Sequence, residues 1–486
     1  MTHPQPTLAF RCARDDLQAN LNDVVVVAID VVVVPIDVVV VPIEVDVVPH
    51  TLIPSALSHD VCLHFLDVPV KAVLAPVGSR GDVQPMVALG QRMRGAGHDV
   101  TLVVSENFRA LVEGAGLPYL YGGRDVESVV RERGEQVKNP LTLLTIARGL
   151  VDQQFAALDD ACEGADLLVG SLLLTAGPSV AEHHGIPICM ASYFPAGIPT
   201  RELPSPLVGR ASGPEWLNRA SWAAQAFVVN AALRGPINQH RVRRGLAPIV
   251  ELQAHALDQC VGLLATDAEV GPAPSDWGGR VHVTGFWFLD TPDPLPADVE
   301  AFLDAGEPPV YIGFGSMPND DPVARSEIIA EACTAVGCRA IVSAGWGGLG
   351  RGIAGSRIKT IGAINHRLLF ERVAVIVHHG GAGTIAAAAR AGVPQVIVPH
   401  LFDQFYWASR VETLGLGPPA LASQFRGSAL VSALRVALED KAMRARAERM
   451  GRRISAYSGA DRAVAVLERV VAGTVTATAH RDERRG

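Results

Sequence analysis

Residues 376–387 of this 486-residue chain read IVHHGGAGTIAA. Two histidines stand side by side, and Gly380, Gly381, Ala382, Gly383 and Thr384 follow with almost no side-chain bulk. The run RVAVIV before them is apolar and β-branched, as in a buried parallel strand. The run TIAAAARAG after them is helix-forming and ends at Gly392. The unit therefore reads as strand, glycine-rich turn, helix. A helix N-terminus carries unpaired N–H groups and a partial positive charge, so an anion such as phosphate or pyrophosphate can rest on the backbone itself. His379 and Thr384 can each donate a further hydrogen bond. Taken alone, the glycines serve equally well in a tight turn that needs φ > 0.

Other polar positions stand at comparable places. GSRGDVQP (78–85) follows a strand, and Asp82 sits at the mouth of the next helix. Such an aspartate is either an N-cap or a base facing a cleft. GFGSMP (313–318) is not a dinucleotide fingerprint, because Pro318 stands where the third glycine is needed. Its Ser316 is either a second phosphate contact or a turn serine. PHLFDQFYW (399–407) holds Asp403 beside Gln404, an acceptor and donor pair that suits sugar hydroxyls, or else a helix cap with a solvated neighbour. Trp346 follows a strand and is a candidate wall for a nucleotide base. His183 and His184 in AEHHGIP read as a helix C-terminus, and Phe286, Trp287 and Phe288 as hinge packing. The chain has no G-x-S-x-G, H-E-x-x-H or G-x-x-x-x-G-K-[ST] motif, and no Asp-x-Asp pair to hold a metal–diphosphate.

The elements that position these residues alternate. From residue 71, strands (KAVLAPV, HDVTLVVS, ADLLVG, PICMAS, QCVGLLATD) alternate with helical patterns, including 83–97 and the long 214–243 stretch. A proline-rich break, LDTPDPLPADVE, then precedes a second alternating series. This predicts an α/β chain: an N-terminal domain over 70–288, a linker over 289–298, a C-terminal domain over 299–472 and a polar tail over 473–486. Ligands of such sheets bind at the carboxyl ends of the strands. Residues 24–44 repeat VVVVAID, VVVVPID and VVVVPIE, so residues 1–69 are expected to be a low-complexity extension outside the fold. Net charge is −8, against a general nucleic-acid role. Seven scattered cysteines show no zinc spacing and fit a reduced, cytoplasmic protein. No long uncharged apolar run predicts a membrane span, and peripheral membrane contact stays open.

GSRGDVQP, VTGFWFLD, GFGSM, HHGGAGT and DQFYW occur in this order. Together they resemble the sterol 3-β-glucosyltransferase branch of the family 1, UDP-glycosyltransferase-like enzymes, over roughly residues 70 to 470. Actinobacterial antibiotic glycosyltransferases are similar too. The resemblance implies a GT-B fold of two Rossmann-like domains, with the acceptor on the first and the nucleotide sugar on the second, and a C-terminal helix that packs back on the first. It implies an inverting, metal-independent transfer with no cofactor, the UDP-sugar being a co-substrate. It places the diphosphate at His379 and the loop backbone of Gly381 and Gly383 with Thr384, Ser316 nearby, the sugar at Asp403 and Gln404, and the base at Asp82. The chain departs from the pattern at His400 and Phe402, and at Ile364, Asn365 and His366. The acceptor implied is a hydrophobic molecule such as a sterol. The alternatives are a macrolide, polyketide or phenolic acceptor with a UDP- or TDP-sugar, and a catalytically silent nucleotide-sugar-binding partner.

Overall fold

The computed structural model describes residues 68–124, 140–291, 293–315, 321–345, 348–350, 357–362 and 364–476, with 140–147 described in backbone only. The valine repeats, Ser316, Trp346 and the end of the tail lie outside the described residues.

Two parallel sheets form the frame. The first contains β1 (Lys71–Ala75), β2 (Asp99–Val104), β3 (Tyr119–Tyr121), β4 (Leu167–Ser171), β5 (Ile188–Ser192), β6 (Cys260–Leu264) and β7 (Val281–Val283). Their order is β3-β2-β1-β4-β5-β6-β7. The second contains β8 (Val310–Gly313), β9 (Ala340–Ser343), β10 (Ile358–Ile361), β11 (Val375–His378) and β12 (Gln395–Ile397), in the order β10-β9-β8-β11-β12. Strands β4, β6, β8, β11 and β12 are buried along their whole length. That is why they read as unbroken apolar runs, since helices cover both faces.

Each sheet has one point where the strand order reverses. In the first it falls between β1 and β4, with Ala75 opposite Gly170. In the second it falls between β8 and β11, with Gly313 opposite His378. Chains leaving a sheet at such a point diverge to opposite faces and open a crevice at the carboxyl edge. Asp82 follows β1, and Gly315 and His379 follow β8 and β11, so the candidate residues stand at the two reversals.

The last helix, Gly459–Val471, returns to the first sheet. Ala460, Val464 and Leu467 share a core with Leu74, Met86 and Leu102. A buried polar contact fixes that return. The amide of Val70 donates to Nδ1 of His98 (3.2 Å), and His98 Nε2 lies 3.1 Å from Glu468 Oε1. The ring thereby accepts through Nδ1 and meets the carboxylate through Nε2. Of the hinge aromatics, Trp287 packs in that same core, whereas Phe286 packs with Ile385, Tyr406 and Trp407 of the second domain.

Two local readings change. The helix expected from Val83 begins at Arg80, because Ser79 caps it and Asp82 completes the cap from the first turn. Strands β3 and β7 were not anticipated. Each has three residues, too few for an alternation to show.

Candidate active site

Asp82 is held by its own helix start. The amide of Ser79 donates to Asp82 Oδ2 (2.8 Å) and the Ser79 hydroxyl to the same oxygen (3.2 Å). In return the Gly81 amide donates to Ser79 Oγ (3.2 Å). This reciprocal cap uses Oδ2 and leaves Oδ1 outside it. Asp82 is therefore a capping residue of its own helix. The Tyr193 hydroxyl donates to the Asp82 carbonyl (2.9 Å), and Ser171 at the end of β4 exchanges hydrogen bonds with both the N–H and the C=O of Val77 (2.9 and 3.0 Å). The switch point of the first sheet is thus stitched shut beneath the carboxylate. Gly78 makes the arrangement sterically feasible. Its φ is +138°, and a Cβ there would lie 2.2 Å from Asp82 Oδ2. Burial pushes the Asp82 carboxyl up to about 6, against the Ser79 hydrogen bonds that pull it down.

The second loop answers why so many adjacent residues are small. His378 is fully buried. The Gly380 amide donates to its Nδ1 (3.2 Å), and its Nε2 lies 3.0 Å from Gln395 Oε1. Burial drives its pKa down to about 3, so this ring is a neutral brace. His379 faces the other way, slotted between two backbones. A Cβ on Gly381 would meet His379 Nε2 at 2.5 Å, and one on Gly315 would meet its Cε1 at 3.2 Å. Burial lowers His379 to about 4, with His400 and His366 adding to it, so it acts as a neutral hydrogen-bonding ring. Its Nδ1 is buried without a protein partner. At Gly383 smallness has another purpose: it is exposed, with nothing within 4 Å of a Cβ position, so the helix end stays bare. No side chain caps the helix Ala382–Ala391. The amides of Thr384 and Ile385 turn back to the Gly381 carbonyl (both 3.0 Å), which leaves the Gly383 amide and the Thr384 hydroxyl outside those bonds.

Asp403 completes the group. The indole N–H of fully buried Trp407 donates to Asp403 Oδ2 (3.1 Å), and the Ala382 amide also hydrogen-bonds its carboxylate. Burial raises Asp403 to about 6, and the charge of Asp82 raises it further. The two carboxylates, one from each domain, therefore share one electrostatic field. Gln404 is less open than its sequence suggests. It is buried, and its Oε1 accepts from the amides of His400 (2.7 Å) and Leu401 (3.2 Å). Its acceptor end therefore holds the turn. Among the described residues Phe402 is the one non-glycine with positive φ (52°), directly before Asp403. Strain of this kind gathers at functional loops.

One feature of the site was not visible in the sequence. A cavity of about 590 Å³ opens at the carboxyl ends of β8 and β9, lined by Phe314, Arg325, Ser343, Leu349, His400 and Phe425 among others. The Arg325 guanidinium lies 4.4 Å from the Phe425 ring centroid and donates to the Ser423 carbonyl (3.1 Å). Its walls come from separate segments, so no single motif marks it. A depression of about 780 Å³ on the first domain, around Asp152, His183 and His240, contains none of the candidate residues.

The first domain matches a family model described as the glycosyltransferase family 28 N-terminal domain, over residues 72–201. The second matches the erythromycin biosynthesis protein CIII-like C-terminal domain, over residues 352–467. Across both, the chain is 35% identical over 355 residues to the vancomycin aglycone glucosyltransferase of Amycolatopsis orientalis, covering 72% of this chain and 85% of that one. The chain belongs to the GT-B glycosyltransferases. This glycosyltransferase is also 34% identical over 402 residues to a sterol 3-beta-glucosyltransferase of Arabidopsis thaliana, covering 77% of this chain and 64% of that one. Its fold is similar to that of the glycosyltransferase SnogD from Streptomyces nogalater (TM-score 0.59, 19% identity, 83% of this chain and 100% of that chain). It is similar to the same extent to the glycosyltransferase VinC in complex with dTDP (TM-score 0.58, 19% identity, 83% and 100%).

The Gly78 contact yields a test. Gly78→Ala drives a methyl group into Asp82 Oδ2, so kcat for sugar transfer should fall at least ~10-fold, as misplacement by about 1 Å does elsewhere. Nucleotide affinity, set on the other sheet, should hold. Turnover and calorimetric nucleotide binding on one preparation check this, and an unchanged kcat would show that the carboxylate position is immaterial.

Proposed function

We propose that this glycosyltransferase moves glucose from UDP-glucose to a hydroxyl of a flat hydrophobic acceptor such as a sterol, with inversion and without a metal. The observation that carries the reading is the convergence of Asp82 and Asp403 at a helix N-terminus that begins on Gly381 and whose first amide Asp403 accepts. Glucose is favoured because the relatives from Amycolatopsis and Arabidopsis are both named as glucosyltransferases.

In this mechanism Asp82 takes the proton from the acceptor hydroxyl. The hydroxyl oxygen attacks the anomeric carbon, the bond from that carbon to the diphosphate breaks, and the electron pair leaves with UDP. The negative charge that gathers on the diphosphate meets the helix dipole, the Gly383 amide, the Thr384 hydroxyl and the neutral His379 ring. Ser316, after β8, is assigned a second phosphate contact. Asp403 accepts hydrogen bonds from the sugar hydroxyls, held in place by Trp407. The cavity between Arg325 and Phe425 takes the nucleoside, with Trp346 assigned to its rim.

Acceptor choice is assigned to the segment that borders Asp403 from the first domain. Gly209 approaches Phe405, with a Cβ position 3.5 Å from its ring. From there Leu207, Trp216 and Phe227 present 61%, 70% and 74% of their surface to solvent. Large apolar groups left in the open mark a binding surface. Among the described residues no helix is long and apolar enough to cross a membrane. We assign the protein to the cytoplasm, with peripheral contact where a lipid acceptor resides.

Purified protein given UDP-glucose and a sterol in detergent should form the steryl glucoside, and EDTA should leave the initial rate within about twofold, since backbone dipoles supply the field. Failure with sterols alongside turnover of macrolide, polyketide or phenolic acceptors would overturn the acceptor. A better TDP-sugar donor would overturn the UDP assignment. Abolition by EDTA with rescue by one divalent ion would overturn metal independence.

Asp82 must be ionised to act as a base. With its carboxyl raised to about 6, kcat/KM should rise with pH through that value and be lost below it. Asp82→Asn should lower turnover by ~10²–10⁴ and remove this acid limb while leaving UDP affinity near wild type. A surviving limb near pH 6 would assign the base elsewhere.

A further inference from the structure

The helix Pro322–Val336 ends on Gly337 in the left-handed region (φ 80°). The Cys333 carbonyl accepts from two amides there, Gly337 (2.9 Å) and Cys338 (3.1 Å). Bonds of this kind define the helix ending in which the side chains three from the end and two past it come into contact. That contact is ordinarily apolar. In this chain both positions are cysteine, and the backbone motif itself brings the two sulfurs together.

The side chains bear this out. The Cys338 thiol donates to the Cys333 carbonyl (3.8 Å), which sets it against the residue that bears the second thiol. Cys333 is buried among Ile329, Val310 and Ala340, whereas Cys338 is partly exposed. Arg357 donates to the Gly337 carbonyl (3.3 Å), which brings a guanidinium to the exposed thiol. The hydrogen bond from Cys333 holds Cys338 below its ordinary range, and Arg357 adds to this. Cys333 is pushed well above its range by that same bond and by burial. The other described cysteines differ. Cys162, Cys189 and Cys260 are buried, and burial pushes all three up. An accessible thiol with thiolate character and a second thiol in contact is the arrangement of a redox-reactive pair.

We propose that Cys333 and Cys338 form a thiol–disulfide exchange site that reacts with small-molecule disulfides. The Cys338 thiolate attacks one sulfur of the disulfide, forms a mixed disulfide and expels one thiolate. The Cys333 thiol then loses its proton, attacks Cys338 Sγ and expels the second thiolate. The protein loses two electrons and two protons to form the Cys333–Cys338 bond, and the small disulfide is reduced to two thiols. The nucleoside cavity is spared. Arg325 lines it eight residues earlier on the same helix, ~12 Å away at 1.5 Å per residue. The proposal is independent of the donor and acceptor assigned above.

Trypsin isolates the pair, because the peptide from Ser326 to Arg339 contains both cysteines and no other. The folded full-length protein is incubated with oxidised glutathione, its remaining thiols are alkylated, and it is digested and weighed. The peptide should lose two hydrogens and carry neither glutathione nor alkyl groups, while the peptides bearing Cys162, Cys189 and Cys260 are alkylated. Cys333→Ser should instead retain glutathione on Cys338. A stable glutathione adduct on the wild-type peptide, or alkylation of both its cysteines after oxidant, would overturn the proposal. The wild-type digest decides the question even where the variant fails to fold.

Discussion

A helix N-terminus kept open by small residues is the constraint on which this site depends. Six of the described α-helices are closed by the side chain of the residue that precedes them: Ser79, Glu251, Asp321, Asn365, Asp440 and Ser458 each accept from the amides of the first turn. The helix Ala382–Ala391 has none. Its Ala382 amide is taken by the Asp403 carboxylate, and beyond that contact small residues keep its positive end open. Gly381 leaves room for the His379 ring, Gly315 does so from the next loop, and Gly383 leaves the surface open. His378 and Gln395, one strand apart, brace the turn from beneath with a fixed neutral tautomer.

Two carboxylates are then arranged about that end, and Asp403 accepts from its first amide. Asp403 is tied by Trp407 and the Ala382 amide, and Asp82 by Ser79. Both lie in surroundings dry enough to raise their pKa to about 6, and the charge of Asp82 adds to the cost of ionising Asp403. A carboxylate poised near 6 is a stronger base than one in water, and it still ionises at neutral pH. In the proposed mechanism the two domains contribute opposite requirements: one a proton acceptor and the other a field for a leaving anion. The return of the final helix onto the first sheet, sealed by His98 and Glu468, makes the cleft part of one connected fold.

Much of this was legible in the sequence, and for physical reasons. Strands buried on both faces read as plain apolar runs, and a loop that must stay small reads as glycine, so the two-domain α/β order and the 376–387 turn stood out. Asp82 was found as a helix-start residue, although its cap is shared with Ser79 and its helix begins three residues earlier than expected. Side-chain direction was hidden. Adjacent Asp403 and Gln404 look equivalent in sequence, yet one is held by Trp407 and the Ala382 amide and the other holds the backbone of 400–401. The Arg325–Phe425 cavity was also hidden, because its walls meet only when β8, β9 and the 423–425 loop converge. Trp407 was quoted within DQFYW without a role, since only the fold shows that its N–H reaches Asp403.

The central claim is that proton acceptor and leaving group stand on opposite sides of one anomeric carbon, so that transfer is a single displacement. The stereochemistry of the product tests this most directly. With α-linked UDP-glucose as donor, the anomeric proton coupling of the isolated product, read by NMR, should show a β-glucoside. An α-glucoside would contradict the account, because it requires either a second displacement or attack from the face that the diphosphate leaves.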